Sequence, residues 1–219
     1  MAFGSGVLIA TLTFSILVEA FSVTHTLPAT ATGFILGGVT YSVANLVLER
    51  KSKHLSSKNR HVKAPCENTA TENKPTSGKA LFIGSVMDNI PENAALGITL
   101  AAGGALNIAF LVAIFVSNLP EGLASTNDMK ASGLSRKRIL ILWSVAVIIG
   151  TLATTIGYGV LSNAPPPIIS ISIAFAAGAI LVMLGESMIP EAFKREGFGK
   201  GLALLAGFLI ALVLTIVQG

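Results

Sequence analysis

Polar positions along this chain are bunched, and between them the apolar positions run on for lengths that a soluble core helix does not need. Nearly uninterrupted apolar stretches occupy 4–22, 29–48, 80–102, 108–126, 139–160, 167–190 and 201–218. Each is close to the roughly 20 residues that carry an α-helix across a bilayer. The pattern predicts an all-α, polytopic helical membrane protein with about seven transmembrane helices. The first run follows Met1 almost directly, without a basic leader or a small-residue cleavage site, so it is expected to stay in the membrane rather than be removed as a signal peptide. Gly, Ala and Ser are frequent inside the runs, and "GFILG" places Gly33 and Gly37 four apart, a spacing that lets helix backbones approach closely.

One polar stretch is long. Residues 49–79, "ERKSKHLSSKNRHVKAPCENTATENKPTSGK", read as a basic, flexible loop. It separates two helices within 1–48 from a five-helix portion within 80–219. His54, His61 and Cys66 lie in it at a spacing too loose for a regular zinc motif, so they are read as solvated loop residues. A single cysteine also excludes an internal disulfide.

The charges then orient the chain. All 15 Lys and Arg residues fall in three connections, within 49–79, 127–138 and 192–200, while 23–28, 103–107 and 161–166 hold none. With seven spans, the basic connections share one face, and the positive-inside rule makes it cytoplasmic. The N-terminus is expected inside and the C-terminus outside, in the cell (inner) membrane. The net charge of +4 is explained by this placement, with no nucleic acid partner implied. Composition agrees with a membrane protein, at 12% charged residues against roughly 25% in an average soluble domain.

Against that background the acidic residues are out of place. Of 11 Asp and Glu, six (Glu19, Asp88, Glu92, Glu121, Glu186 and Glu191) lie within or at the edge of apolar runs, and no basic residue lies in any run to pair with them. A charge at the centre of a bilayer costs about 2.5–3.5 kcal/mol on the most lenient scale, so these positions require protons, water or a cation. Glu19 and Glu191 are near enough to span ends to reach an interface. The others repeat a pattern: "DNIPENAALG" (88–97) and "SNLPEGLAST" (117–126) share xN[I/L]PE, and "ESMIPEA" (186–192) repeats IPE. Asp88 and Glu92 are four apart, as are Ser117 and Glu121, so each pair shares a helix face. Asn89 and Asn118 adjoin them. Pro91 and Pro120 fall between the members of each pair, freeing the carbonyls of Met87 and Val116 and predicting broken or kinked helices at a binding site. Asp88, Asn89, Glu92, Asn118 and Glu121 together would be an oxygen-rich site suited to a divalent cation. When it is empty the carboxylates share protons that an entering cation displaces, which makes uptake pH-sensitive. In the 139–160 run, Thr151, Thr154 and Thr155 form a polar stripe expected to hydrogen-bond helix to helix. Trp143 and Tyr158 are expected to be interface anchors and nothing more.

These motifs resemble those of the ZIP (Zrt/Irt-like) family of divalent metal transporters. "DNIPEN" looks like the family's HNxPEG signature, "SNLPEG" like its next-helix signature ending in PEG or PH, and "GESMIPEAF" like its HExIPE motif. The basic 49–79 stretch stands where the family has a variable cytosolic loop. The resemblance implies transport of zinc, iron, manganese or a similar cation into the cytoplasm. It implies a transport bundle sliding against a scaffold, often in homodimers. The metal is substrate, and no resident cofactor is implied. Carried over by position, the metal ligands are Asp88, Asn89, Glu92, Ser117, Asn118 and Glu121, with Glu186 and its neighbour Ser187 from the later motif. This chain departs from the family in lacking the histidines, which argues against a preference for zinc. It also has no carboxylate in the 139–160 run, which argues for one metal rather than two. The family has eight spans, and the missing one would be the first; a version extended upstream is expected to be more stable or more active. The rivals are an intramembrane protease, disfavoured because Asp88 has no second intramembrane aspartate, and a non-transporting scaffold or metal sensor. The chain is therefore read as a transporter and not an enzyme.

Overall fold

The computed structural model describes residues 1–58, 78–102, 108–194 and 198–218. These residues form seven helices and no strand: α1 (Ala2–Thr24), α2 (Leu27–Lys58), α3 (Gly78–Ala101), α4 (Ile108–Ala131), α5 (Arg136–Leu161), α6 (Pro166–Phe193) and α7 (Lys200–Gln218). All but α3 are long and apolar enough to cross a membrane. Helix α3 has the length, 24 residues or about 36 Å, but Asp88, Asn89, Glu92 and Asn93 dilute its hydropathy. The fold is an all-helical membrane bundle, as the apolar runs predict. Helix α2 continues past the expected span end at 48 to Lys58. Residues 59–77, with His61 and Cys66, and the side chain of His54 lie outside the described residues.

Helix ends follow local chemistry. His25, in the left-handed region at φ 52°, turns the chain between α1 and α2. Ser135 caps α5 by accepting from the Arg138 amide. Pro166, whose missing N–H costs nothing in a first turn, starts α6.

Glycines organise the packing into three close pairs. Between α2 and α6, a Cβ at Gly37 would overlap the Phe175 carbonyl oxygen, and one at Gly178 the Phe34 carbonyl oxygen. Gly6 and Gly207 bring α1 and α7 together in the same way, and Gly97 seats α3 on α5 at Thr154. Without water to drive apolar surfaces together, this close approach is what holds membrane helices in register. Helix α6 is central and packs against α1, α2 and α3. More than half of its apolar window (56%) is buried, against 17% for α5 and 11% for α7. The outward faces of those two helices expose Leu140, Val147, Ile156, Val160, Leu205 and Ile216, an apolar surface that lipid would cover.

The prolines do not break their helices, the stronger of the two outcomes that the sequence pattern allows. Helices α3 and α4 run without interruption through Pro91 and Pro120. The helical ladder widens elsewhere, into π turns at Leu12–Ile16 of α1 and Leu184–Met188 of α6. Each interior proline removes one backbone bond, and packed neighbours can absorb that loss without a break.

Candidate functional site

Helix α3 turns Asp88 and Glu92 inward, at 6% and 1% exposure, and α4 does the same with Glu121, at 8%. The i, i+4 spacing puts the α3 pair on one face, as the sequence predicts. Glu92 lies close enough to both Glu121 and Asp88 for their charges to act on one another. The side-chain amide of Asn118 on α4 donates to Glu92 Oε2 at 2.9 Å, bridging α3 and α4. Asp88 is held from the other side, where the Tyr41 hydroxyl of α2 donates to Oδ1 at 2.6 Å and the Ser187 hydroxyl of α6 donates to Oδ2 at 3.1 Å. The Ser85 hydroxyl shares a hydrogen bond with Ser125 at 3.0 Å, close to Glu121.

Glu121 differs from its neighbours in one respect. Its Oε2 is buried with no hydrogen-bond partner among the described residues. A buried carboxylate oxygen left without a donor is expensive, and a cation or water satisfies it. No three of His, Cys, Asp and Glu converge tightly enough among the described residues to hold an ion by themselves. Coordination here therefore needs amide, hydroxyl or water oxygens beside the carboxylates.

The remaining candidates are placed differently. Ser117 is fully buried, donates back to the Ile114 carbonyl at 3.0 Å and packs under Gly4 of α1. Asn89 accepts from the Asn93 amide at both its backbone and side-chain oxygens. Both asparagines line a crevice of about 450 Å³ between α3, α4 and α5, with Asn118 and Thr151. Glu186, in the π turn of α6, is bonded into α2: Ser42 donates to its Oε1 at 2.7 Å and Asn45 to its Oε2 at 2.9 Å. Glu191 is exposed near the end of α6, and Glu19 is half-buried near the end of α1.

Residue-by-residue reading overlooked the donors on α2. Tyr41, Ser42 and Asn45 stand in the second half of an otherwise apolar run, and polar side chains inside a span default to a partner or a function. That signal was available in "TYSVANL". Thr154 bonds helix to helix as expected, to the Asn93 carbonyl at 2.9 Å, whereas Thr151 and Thr155 bond within α5. Trp143 is more than an interface anchor: its indole N–H donates to Thr126 at 2.9 Å and ties α5 to α4.

A family model described as ZIP Zinc transporter matches residues 44–215, well over half of the chain and all of α3 to α6. The chain belongs to the ZIP family. It is 31% identical over 149 residues to a protein named zinc transporter GufA of Myxococcus xanthus. That match takes in 67% of this chain and 58% of the relative, so the aligned part spans less than two thirds of the length of the curated protein. As a ZIP family chain with helices of spanning length, it is an integral membrane protein and sorts with transporters rather than enzymes.

Proposed function

We propose that this chain transports a divalent metal cation across the membrane toward the cytoplasm, using the carboxylate and amide oxygens between α3 and α4. The observation that carries this reading is the unpartnered, buried Oε2 of Glu121 beside Glu92 and Asp88. Three acidic groups in a low-dielectric interior repel one another unless protons or a cation neutralise them, and a divalent cation does so with the strongest attraction. Asp88, Asn89, Glu92, Ser117, Asn118 and Glu121 supply the ligands, and Glu186 offers a further oxygen pair on the cytoplasmic half of α6. Ser117 and Asn118 would have to turn their oxygens away from their present hydrogen bonds to ligate. The relative named for zinc supports zinc as one substrate. The all-oxygen donor set supports the harder cations manganese and iron as others. The basic connections support an orientation with the N-terminus and the 49–79 loop in the cytoplasm and the C-terminus outside. Assembly as a homodimer in the cell (inner) membrane is part of the same reading.

The test is uptake of Zn, Fe, Mn, Co and Cd into proteoliposomes carrying this chain, beside Glu92→Gln and Glu121→Gln. Saturable uptake that falls to the level of empty liposomes in each variant, with the protein still inserted, is the expected result. Undiminished uptake by either variant would overturn the site. No uptake by the unsubstituted chain would favour a non-transporting scaffold or sensor.

A further inference from the structure

Tyr41 is a buried phenol inside a membrane span. It is 5% exposed, whereas the chain's other tyrosine, Tyr158, is 51% exposed. A buried hydroxyl with no water at hand needs a protein acceptor. Tyr41 takes Asp88 Oδ1, at 2.6 Å. The placement of the ring follows from packing: Gly37, one turn earlier on α2, is pressed onto the Phe175 carbonyl of α6, which fixes the rotation of α2 and aims Tyr41 across at α3. Ser187, in the π turn of the same α6, donates to the second oxygen of Asp88. Two hydroxyls from one glycine-locked helix pair thus grip both oxygens of a carboxylate on a third helix. Helices α2 and α3 make little backbone contact of their own among the described residues, so the Tyr41 bond is a principal link between them. Tyr41 also lies within charge range of Glu186 and Glu121.

We propose that Tyr41, with Ser187 as its counterpart, is a positioning residue that orients Asp88 toward the transported cation and so sets the affinity of the site. This rests on the reading above, in which Asp88 is a ligand. A carboxylate offers about four lone-pair directions. Each hydroxyl occupies one direction on its own oxygen, which leaves one on each oxygen for a cation and prevents the group from turning away. Hydrogen-bond partners of ligating carboxylates characteristically control metal affinity in this way, and their loss costs about 10–100-fold. Because the donors and the acceptor stand on different helices, cation affinity is coupled to the docking of the α2/α6 pair against α3, and the coupling acts equally in both directions.

The experiment uses the full chain in proteoliposomes for Mn²⁺ and Cd²⁺ uptake and the purified chain for equilibrium binding of the same ions. The variants are Tyr41→Phe, which keeps the ring, Ser187→Ala, Asp88→Asn and the Tyr41→Phe/Asp88→Asn double. The expected result is that Tyr41→Phe raises KM and Kd about 10–100-fold. Its maximal rate should stay within about twofold of the unsubstituted chain, the signature of lost binding rather than lost folding. On the Asp88→Asn background Tyr41→Phe should have no further effect on Kd, because the oriented group is gone. An unchanged or lowered KM, a fall in rate at constant KM, or an equal effect on the Asp88→Asn background would each overturn the proposal. Cation binding by the unsubstituted chain that Tyr41→Phe leaves untouched removes this inference alone. No binding by the unsubstituted chain removes the transport site and this inference together.

Discussion

At the scale of single residues, the site is built from neutral donors set against acids, buried at Asp88, Glu92 and Glu121 and exposed at Glu186. Asp88, Glu92 and Glu186 each accept from hydroxyl or amide groups on a neighbouring helix, and Glu121 keeps one oxygen unpartnered. That division predicts unequal outcomes of conservative substitution. Glu121→Gln should lower cation affinity most, because the oxygen it alters is the one no protein donor serves. The double change Ser42→Ala, Asn45→Ala strips both donors from Glu186. Because Glu186 is exposed, this should destabilise the α2/α6 pair by only about 0.5–1.5 kcal/mol, the usual net contribution of a hydrogen bond. Thermal unfolding in detergent measures that, and an unchanged midpoint would count against Glu186 as a structural acceptor. The acidic positions were legible from the sequence because a carboxylate in an apolar run is conspicuous. The donors were not, because Ser, Asn and Tyr are common in spans and only proximity shows which acid each one serves.

At the scale of elements, the helices pair where glycine removes the side chain. Gly37→Leu and Gly178→Leu each force a side chain into an opposing backbone carbonyl. Each should destabilise by at least the 1–3 kcal/mol typical of overpacking. Gly185→Ala is the control, since a Cβ there meets nothing within 4 Å and it should leave the melting temperature unchanged. Fluorescence-detected gel filtration after graded heating would rank the three. Trp143→Phe should cost about 1 kcal/mol through loss of the Thr126 bond between α4 and α5, read in the same assay. The periodic small residues made close packing foreseeable, and "GFILG" was read correctly as a packing motif. Its partner was not foreseeable, since α6 lies more than a hundred positions away and carries only Gly178 at the contact. The absence of a break at the prolines was not foreseeable for a related reason: a proline removes a helical hydrogen bond, but whether the helix is interrupted depends on the neighbours that surround it.

At the scale of the whole molecule, the distribution of Lys and Arg predicts which face of the bundle is cytoplasmic. Single cysteines introduced on a Cys66→Ser background test that assignment in intact cells. Asn163→Cys, between α5 and α6, should react with a membrane-impermeant maleimide from outside. Asp128→Cys, in the last turn of α4, should react only after lysis. The opposite pattern would invert the orientation and with it the proposed direction of transport.

The amino-acid sequence by itself determined the class of fold, the approximate spans and the acidic pairs of α3 and α4, because burial in lipid admits little besides apolar helices and makes each exception visible. Helix α3 shows where that reading thins: its polar residues mark the site and, for the same reason, weaken its own signal as a span. Only the tertiary structure decided that α2 pairs with α6, that the widened turn at Leu184–Met188 presents Ser187 to α3, and that Tyr41 closes on Asp88. Those contacts join residues 47 to 144 positions apart, and at such separations no local pattern specifies the partner; the shape of the packed helices does.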